Sequence, residues 1–130
     1  MRRHVVRALR GLHAVSVENA VGTGMPDVNY ADGWLELKSV ARWPTRPSSP
    51  LRVPHFTQEQ RLWIRRRQEA GGRVHVLLKV EREWLLFDGI FAADHLGYST
   101  YDKLVWKAKA FWERAPSPES LQRNLCSKRT

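Results

Sequence analysis

The stretch Gly24–Ser39, GMPDVNYADGWLELKS, decides the fold, because it reads as a single β-hairpin with different chemistry on its two faces. Asp32-Gly33 is a strong hairpin signal: a type I′ turn needs positive φ at both central residues, and Asp-Gly tolerates it. With these two as the turn, Ala31 faces Trp34. The antiparallel register then pairs Tyr30 with Leu35, Asn29 with Glu36, Val28 with Leu37 and Asp27 with Lys38. Asp27, Asn29, Glu36 and Lys38 share one face, and Val28, Tyr30, Leu35 and Leu37 share the other. A slip of one residue would mix the two sets.

Two carboxylates converging across a strand pair repel each other, and a hard divalent cation such as Mg²⁺ relieves that repulsion. Lys38 lies two residues beyond Glu36 on the same face, within reach of a water beside such a cation. The competing explanation is an ordinary solvated strand face with a cross-strand Asp–Lys ion pair.

Pro26-Asp27 followed by Glu36-Leu37-Lys38 resembles the PD-(D/E)xK nuclease signature. The longer run GTGMPDVNYADGWLELKS, with a Thr-x-x-Gln helix start at Thr57 to Gln60, is similar to the VRR-NUC and Holliday-junction-resolvase-like branch of that superfamily, small phage members included. The resemblance covers roughly residues 18 to 88. It implies that Asp27 and Glu36, with the carbonyl of Leu37, bind Mg²⁺ or Mn²⁺, and that Lys38 acts on the attacking water. It also implies that Gln60 borders the site and that an upstream Glu, here Glu18, completes the metal shell. In many relatives that Glu lies on a helix, whereas Glu18 falls on a strand or loop, which leaves it either a ligand or a surface residue.

Outward from the hairpin, the chain is basic. Its 130 residues suit one domain, and 22 Lys+Arg against 13 Asp+Glu give a formal charge of +9, with a sequence pI of about 10.4. Such a balance points to a polyanionic partner. The 42% hydrophobic content and six Trp require a packed interior, which excludes a basic tail. The single Cys126 excludes an internal disulfide, no Cys/His spacing suits zinc, and a reducing compartment is expected. Together with the resemblance, this implies the cytoplasm of a bacterial or phage-infected cell. Neither a signal peptide nor a membrane span is expected, since Arg7 and Arg10 break the first apolar run.

Before the hairpin, the spacing of Val5, Val6, Leu9 and Leu12 predicts a helix over 2–12, and 14–21 alternates as a strand. After it, Pro44, Pro47, Pro50 and Pro54 predict a long loop over 41–55, with Arg42, Arg46 and Arg52 available as a substrate clamp or simply solvated. Thr57 and Gln60 form a capping box for a helix ending near Ala70 at Gly71-Gly72. Arg61, Arg65, Arg66 and Arg67 make that helix basic, and phosphate contacts explain four arginines without interleaved acid.

Strands follow over 74–80 and 83–87 around a turn at Glu81-Arg82, the first buried on both faces. A last long helix capped by Ser99 or Thr100 is predicted through Trp112. The nuclease domain is placed at 1–115, with 116–130 a tail or short helix around Leu121 and Leu125. Five of the Trp, Trp106 among them, are assigned to packing, and Trp43 to an exposed position in the Pro-rich loop.

The element order fits an α/β restriction-endonuclease-like sandwich, a mixed central sheet flanked by helices. The expected activity is metal-dependent DNA endonuclease, selective for branched DNA such as a Holliday junction, with Arg42, Arg46, Arg61 and Arg65 on DNA and a homodimer bringing two sites to two strands. The rivals are a restriction-like or exonuclease member of the superfamily, and a basic binding module without catalysis.

Overall fold

The computed structural model describes residues 1–17 and 24–126. Among these residues six strands form one mixed sheet in the order of the chain: β1 (Val15–Ser16), β2 (Val28–Tyr30), β3 (Gly33–Val40), β4 (Val74–Val80), β5 (Glu83–Asp88) and β6 (Ala110–Trp112). Neighbours are antiparallel except β3 and β4, which are parallel and joined by the Pro-rich loop and helix α2 (Gln58–Glu69). The other helices are α1 (Arg2–Ala8), α3 (Gly89–His95), α4 (Tyr101–Lys107) and α5 (Pro118–Leu125). The protein is therefore α/β, with helices on both faces of a mixed sheet, and none of the described helices is long and apolar enough to cross a membrane.

β4 reads VHVLLKV because it is covered on both sides, as its apolar run predicts. Val74, Val76, Leu78 and Val80 pack with Ile64 of α2, Ala92 of α3, Leu96 just after it and Leu104 of α4. Leu77 turns the other way and joins Leu35 and Leu86 against Val5, Ala8 and Leu9 of α1 and Leu121 and Leu125 of α5. Helix α5 is thus part of the second core. Each of its two fully buried leucines is worth about 1.5–3 kcal/mol of apolar burial.

The hairpin keeps its predicted faces but not its predicted turn. Val28 pairs with Leu35, Asn29 with Trp34 and Tyr30 with Gly33, so the two-residue turn is Ala31-Asp32 and the register is displaced by two. A displacement of two preserves the alternation, which is why Leu35 is buried toward α1 and α5 while Glu36 and Lys38 face α2. The cause lies in Gly33. A Cβ there would sit 2.4 Å from the carbonyl oxygen of Arg73, which accepts a hydrogen bond from Trp34 N–H at 3.0 Å. The glycine serves close approach to the chain entering β4, and neither it nor Asp32 has positive φ.

Other expectations are corrected at the chain's ends and loops. The first helix stops at Ala8 and continues as a 3-10 turn over Arg10–Leu12. Of the strand expected over 14–21, Val15–Ser16 is a strand, and 18–21 lie outside the described residues. The last helix, capped by Thr100 as predicted, ends at Lys107; Ala110–Trp112 is the sixth strand, and α3 precedes them unannounced. Trp106 is 78% exposed rather than packed. Trp43, expected to be exposed, is half-buried: its ring meets Tyr101 edge-on at 4.6 Å and its indole N–H donates to Glu83 at 2.7 Å. Leu51, Val53 and Phe56 likewise bury the far half of the Pro-rich loop in the core.

Candidate active site

Three segments meet where β3 leaves the turn region and α2 begins. Gly24, with φ of +90°, packs so tightly on α2 that a Cβ would lie 2.5 Å from the carbonyl of Glu59. From there Met25 and Pro26 lead to Asp27, one step beyond the Val28–Leu35 pair and hence beside Glu36. The corrected register thus opposes the two carboxylates directly, where the predicted one put Asp27 across from Lys38. Asp27 is fixed from both sides: its Oδ2 accepts from the Leu37 N–H at 2.9 Å and its Oδ1 from Arg2 Nη2 at 2.8 Å.

Glu36 is 1% exposed and Lys38 is 8% exposed. The Lys38 ammonium reaches Glu36 Oε2 at 3.1 Å, the His55 carbonyl at 2.8 Å and Gln60 Oε1 at 2.9 Å, so each of its three N–H groups has an acceptor. His55 adopts a left-handed φ of 68°, uncommon for a residue with a side chain, at the position that offers its carbonyl to Lys38. Gln60 Oε1 also accepts from Thr57 N–H at 2.9 Å, and Thr57 Oγ1 accepts from Gln60 N–H at 3.1 Å. The capping box of α2 is therefore also the mount for Lys38. Helix start and site share one side chain.

Glu36 Oε1 has no hydrogen-bond partner among the described residues although it is buried. Burial, with Asp27 alongside, pushes the Glu36 carboxyl up to about 8 against the pull of Lys38. An orphaned buried carboxylate oxygen next to a second carboxylate is a donor set that suits a hard divalent cation. Asp27, Glu36 and the Leu37 carbonyl are the donors at hand; no group of three His, Cys, Asp or Glu is assembled among the described residues. Glu18 lies outside them.

The remaining predicted site residues separate into two groups. Arg42 and Arg46 are exposed in the Pro-rich loop. Arg61 and Arg65 are engaged within the fold. Arg61 donates to the carbonyls of Phe56, Ala93 and Leu96 at 3.2, 2.9 and 2.8 Å and stacks 4.2 Å over Phe56, while Arg65 pairs with Asp94. Arg2 was not anticipated as a neighbour of the site. Its contact with Asp27 spans 25 residues of sequence, and no local pattern signals it. Comparison of the chain with family models, with curated proteins and with solved structures returns no match.

Proposed function

We propose that this chain is a divalent-metal-dependent DNA endonuclease, selective for branched DNA, on a restriction-endonuclease-like version of the α/β fold. One observation carries the proposal: Glu36 Oε1 is buried without a partner among the described residues, beside Asp27 and on the strand face that also presents Lys38. A solvated strand face, the bland alternative, would leave these groups in water. Instead Glu36 and Lys38 are among the few buried polar side chains.

In this proposal Asp27, Glu36 and the Leu37 carbonyl hold Mg²⁺ or Mn²⁺, a group that when bound polarises a phosphodiester and lowers the pKa of a water. The chain's own residues do the rest. Arg2 and the Leu37 N–H keep the Asp27 carboxylate aimed across at Glu36. Lys38, held by acceptors from β3, the loop and α2, is a preorganised positive charge that offsets the charge growing on the phosphate. The start of α2 adds the positive end of its dipole on the same side. Two chains meeting on one branched DNA would supply one site per strand.

The test is cleavage of a four-way junction and of linear duplex with Mg²⁺, with Mn²⁺ and with chelator. Cutting is expected only with metal. Asp27→Ala or Glu36→Ala is expected to abolish it while DNA binding survives. Full activity in both variants would refute the site, and wild-type binding without cutting under any metal would leave a binding module.

A further inference from the structure

The first seventeen residues carry four Arg and no acid. The structure folds them into a groove of about 560 Å³ between the outer side of α1 and β1, lined by Arg2, Arg3, Val6, Arg7, Arg10 and Ser16. Arg3, Arg7 and Arg10 are exposed, four and then three positions apart, and so form one stripe along α1 and the turn after it. Among the described residues none of the three has an ion pair or a side-chain hydrogen bond. The stripe is held against the sheet by the buried Val5, Ala8 and Leu9 on its opposite side. Arg2 closes the groove at one end, where its guanidinium touches both Ser16 Oγ at 3.5 Å and Asp27 Oδ1 at 2.8 Å. The groove therefore ends at Arg2, the residue that also holds the Asp27 carboxylate.

The pocket at the start of α2 makes a weaker surface for a polyanion. Its arginines, Arg61 and Arg65, are held by backbone carbonyls and by Asp94, and Asp94 itself lines it. An acid in the wall repels phosphate, and a guanidinium must give up its present partners to bind one.

Resting on the nuclease proposal, we infer that the α1 groove holds the phosphodiester backbone of duplex DNA next to the bond that is cut. The stripe from Arg3 to Arg10 spans roughly 11 Å at 1.5 Å per residue, the axial length of about three phosphates of one strand at 3.4 Å each. Guanidinium forks suit phosphate oxygens, and the Ser16 hydroxyl supplies a neutral donor on the facing wall.

The experiment is binding of a fluorescent duplex by wild type and by the triple variant Arg3→Gln/Arg7→Gln/Arg10→Gln over a series of salt concentrations. Each lost phosphate contact removes about 0.9 from the slope of log affinity against log salt, so the slope should flatten by up to roughly 2.7. Arg7→Glu alone should weaken binding further than Arg7→Gln. All three side chains are exposed, so the triple variant should unfold at the wild-type temperature.

An unchanged slope in a folded triple variant overturns the groove and leaves the nuclease proposal standing. Wild type that binds no DNA removes both. Loss of binding to phosphatidylserine vesicles with an unchanged DNA slope reassigns the groove to a lipid surface and overturns the inference.

Discussion

Glu36 is buried, and among the described residues its two oxygens have one partner, Lys38. Its carboxyl, at 4.5 in an ordinary setting and pushed to about 8 here by burial and by Asp27, makes the folded protein hold a proton that the unfolded chain releases. That contribution to stability is complete below about 4.5 and fades as pH rises toward 8. The metal-free protein is therefore expected to melt at progressively lower temperature between pH 5 and pH 8. Glu36→Gln, which keeps the shape and never ionises, should lose much less over the same range. Mg²⁺ at pH 8 should restore wild type and not the variant, because a cation can take the proton's place. Thermal melts in chelator and in Mg²⁺ decide this, and parallel curves for the two proteins would mean that Glu36 is not the group under strain. The sequence made Asp27, Glu36 and Lys38 legible as one face because alternation survives a register error of two. It could not show Arg2 beside Asp27, nor that the His55 carbonyl would receive Lys38, because both depend on where distant segments come to rest.

At the scale of the element, α2 carries arginines that the fold itself also uses. Four arginines on a basic chain read as phosphate ligands, and Arg61 also ties the helix to α3 through the Ala93 carbonyl, to the residue just after α3 through the Leu96 carbonyl, and to its own entry through Phe56. Arg61→Ala should destabilise the protein by about 2 kcal/mol, the scale of hydrogen bonds to a charged, half-buried group, with little effect on the salt slope of DNA binding. Arg61→Lys should recover little of it, since an ammonium cannot reproduce the planar fork. Urea unfolding with parallel DNA titrations checks both halves, and a stable variant with a flattened slope would restore Arg61 to the DNA. The capping box was legible because its two residues answer each other locally. The end of α4 was not: the spacing of Leu104, Ala108 and Phe111 is helical, but Ala108 turns extended and the Lys109 N–H bonds Leu86, adding β6 to the sheet edge. Gly33 failed for the same reason, its missing Cβ answering to Arg73, forty residues on. In each case a tertiary contact overrode a local propensity.

At the scale of the whole molecule, the described residues of one chain present one pair of opposed carboxylates, while the branched DNA of the proposed function has two strands to cut. Among the described residues pairing through strand addition is poorly served, because the edge strands are β1, of two residues, and β6, of three. Short edges make weak templates for a second sheet. The charge of +9 works in the same direction, since two such chains repel each other until a polyanion lies between them. If two chains do act together, the DNA is then what assembles them. On supercoiled plasmid or a four-way junction with Mg²⁺, single nicks should therefore accumulate first when protein is scarcer than DNA. Paired cuts should rise more steeply than linearly as the protein-to-DNA ratio increases, and raising the salt should suppress paired cuts before it suppresses nicks, because they need two bound chains. Paired cuts at substoichiometric protein, with no nicked intermediate, would instead mean that a dimer exists before DNA is bound and that its interface tolerates the mutual repulsion of two strongly basic chains.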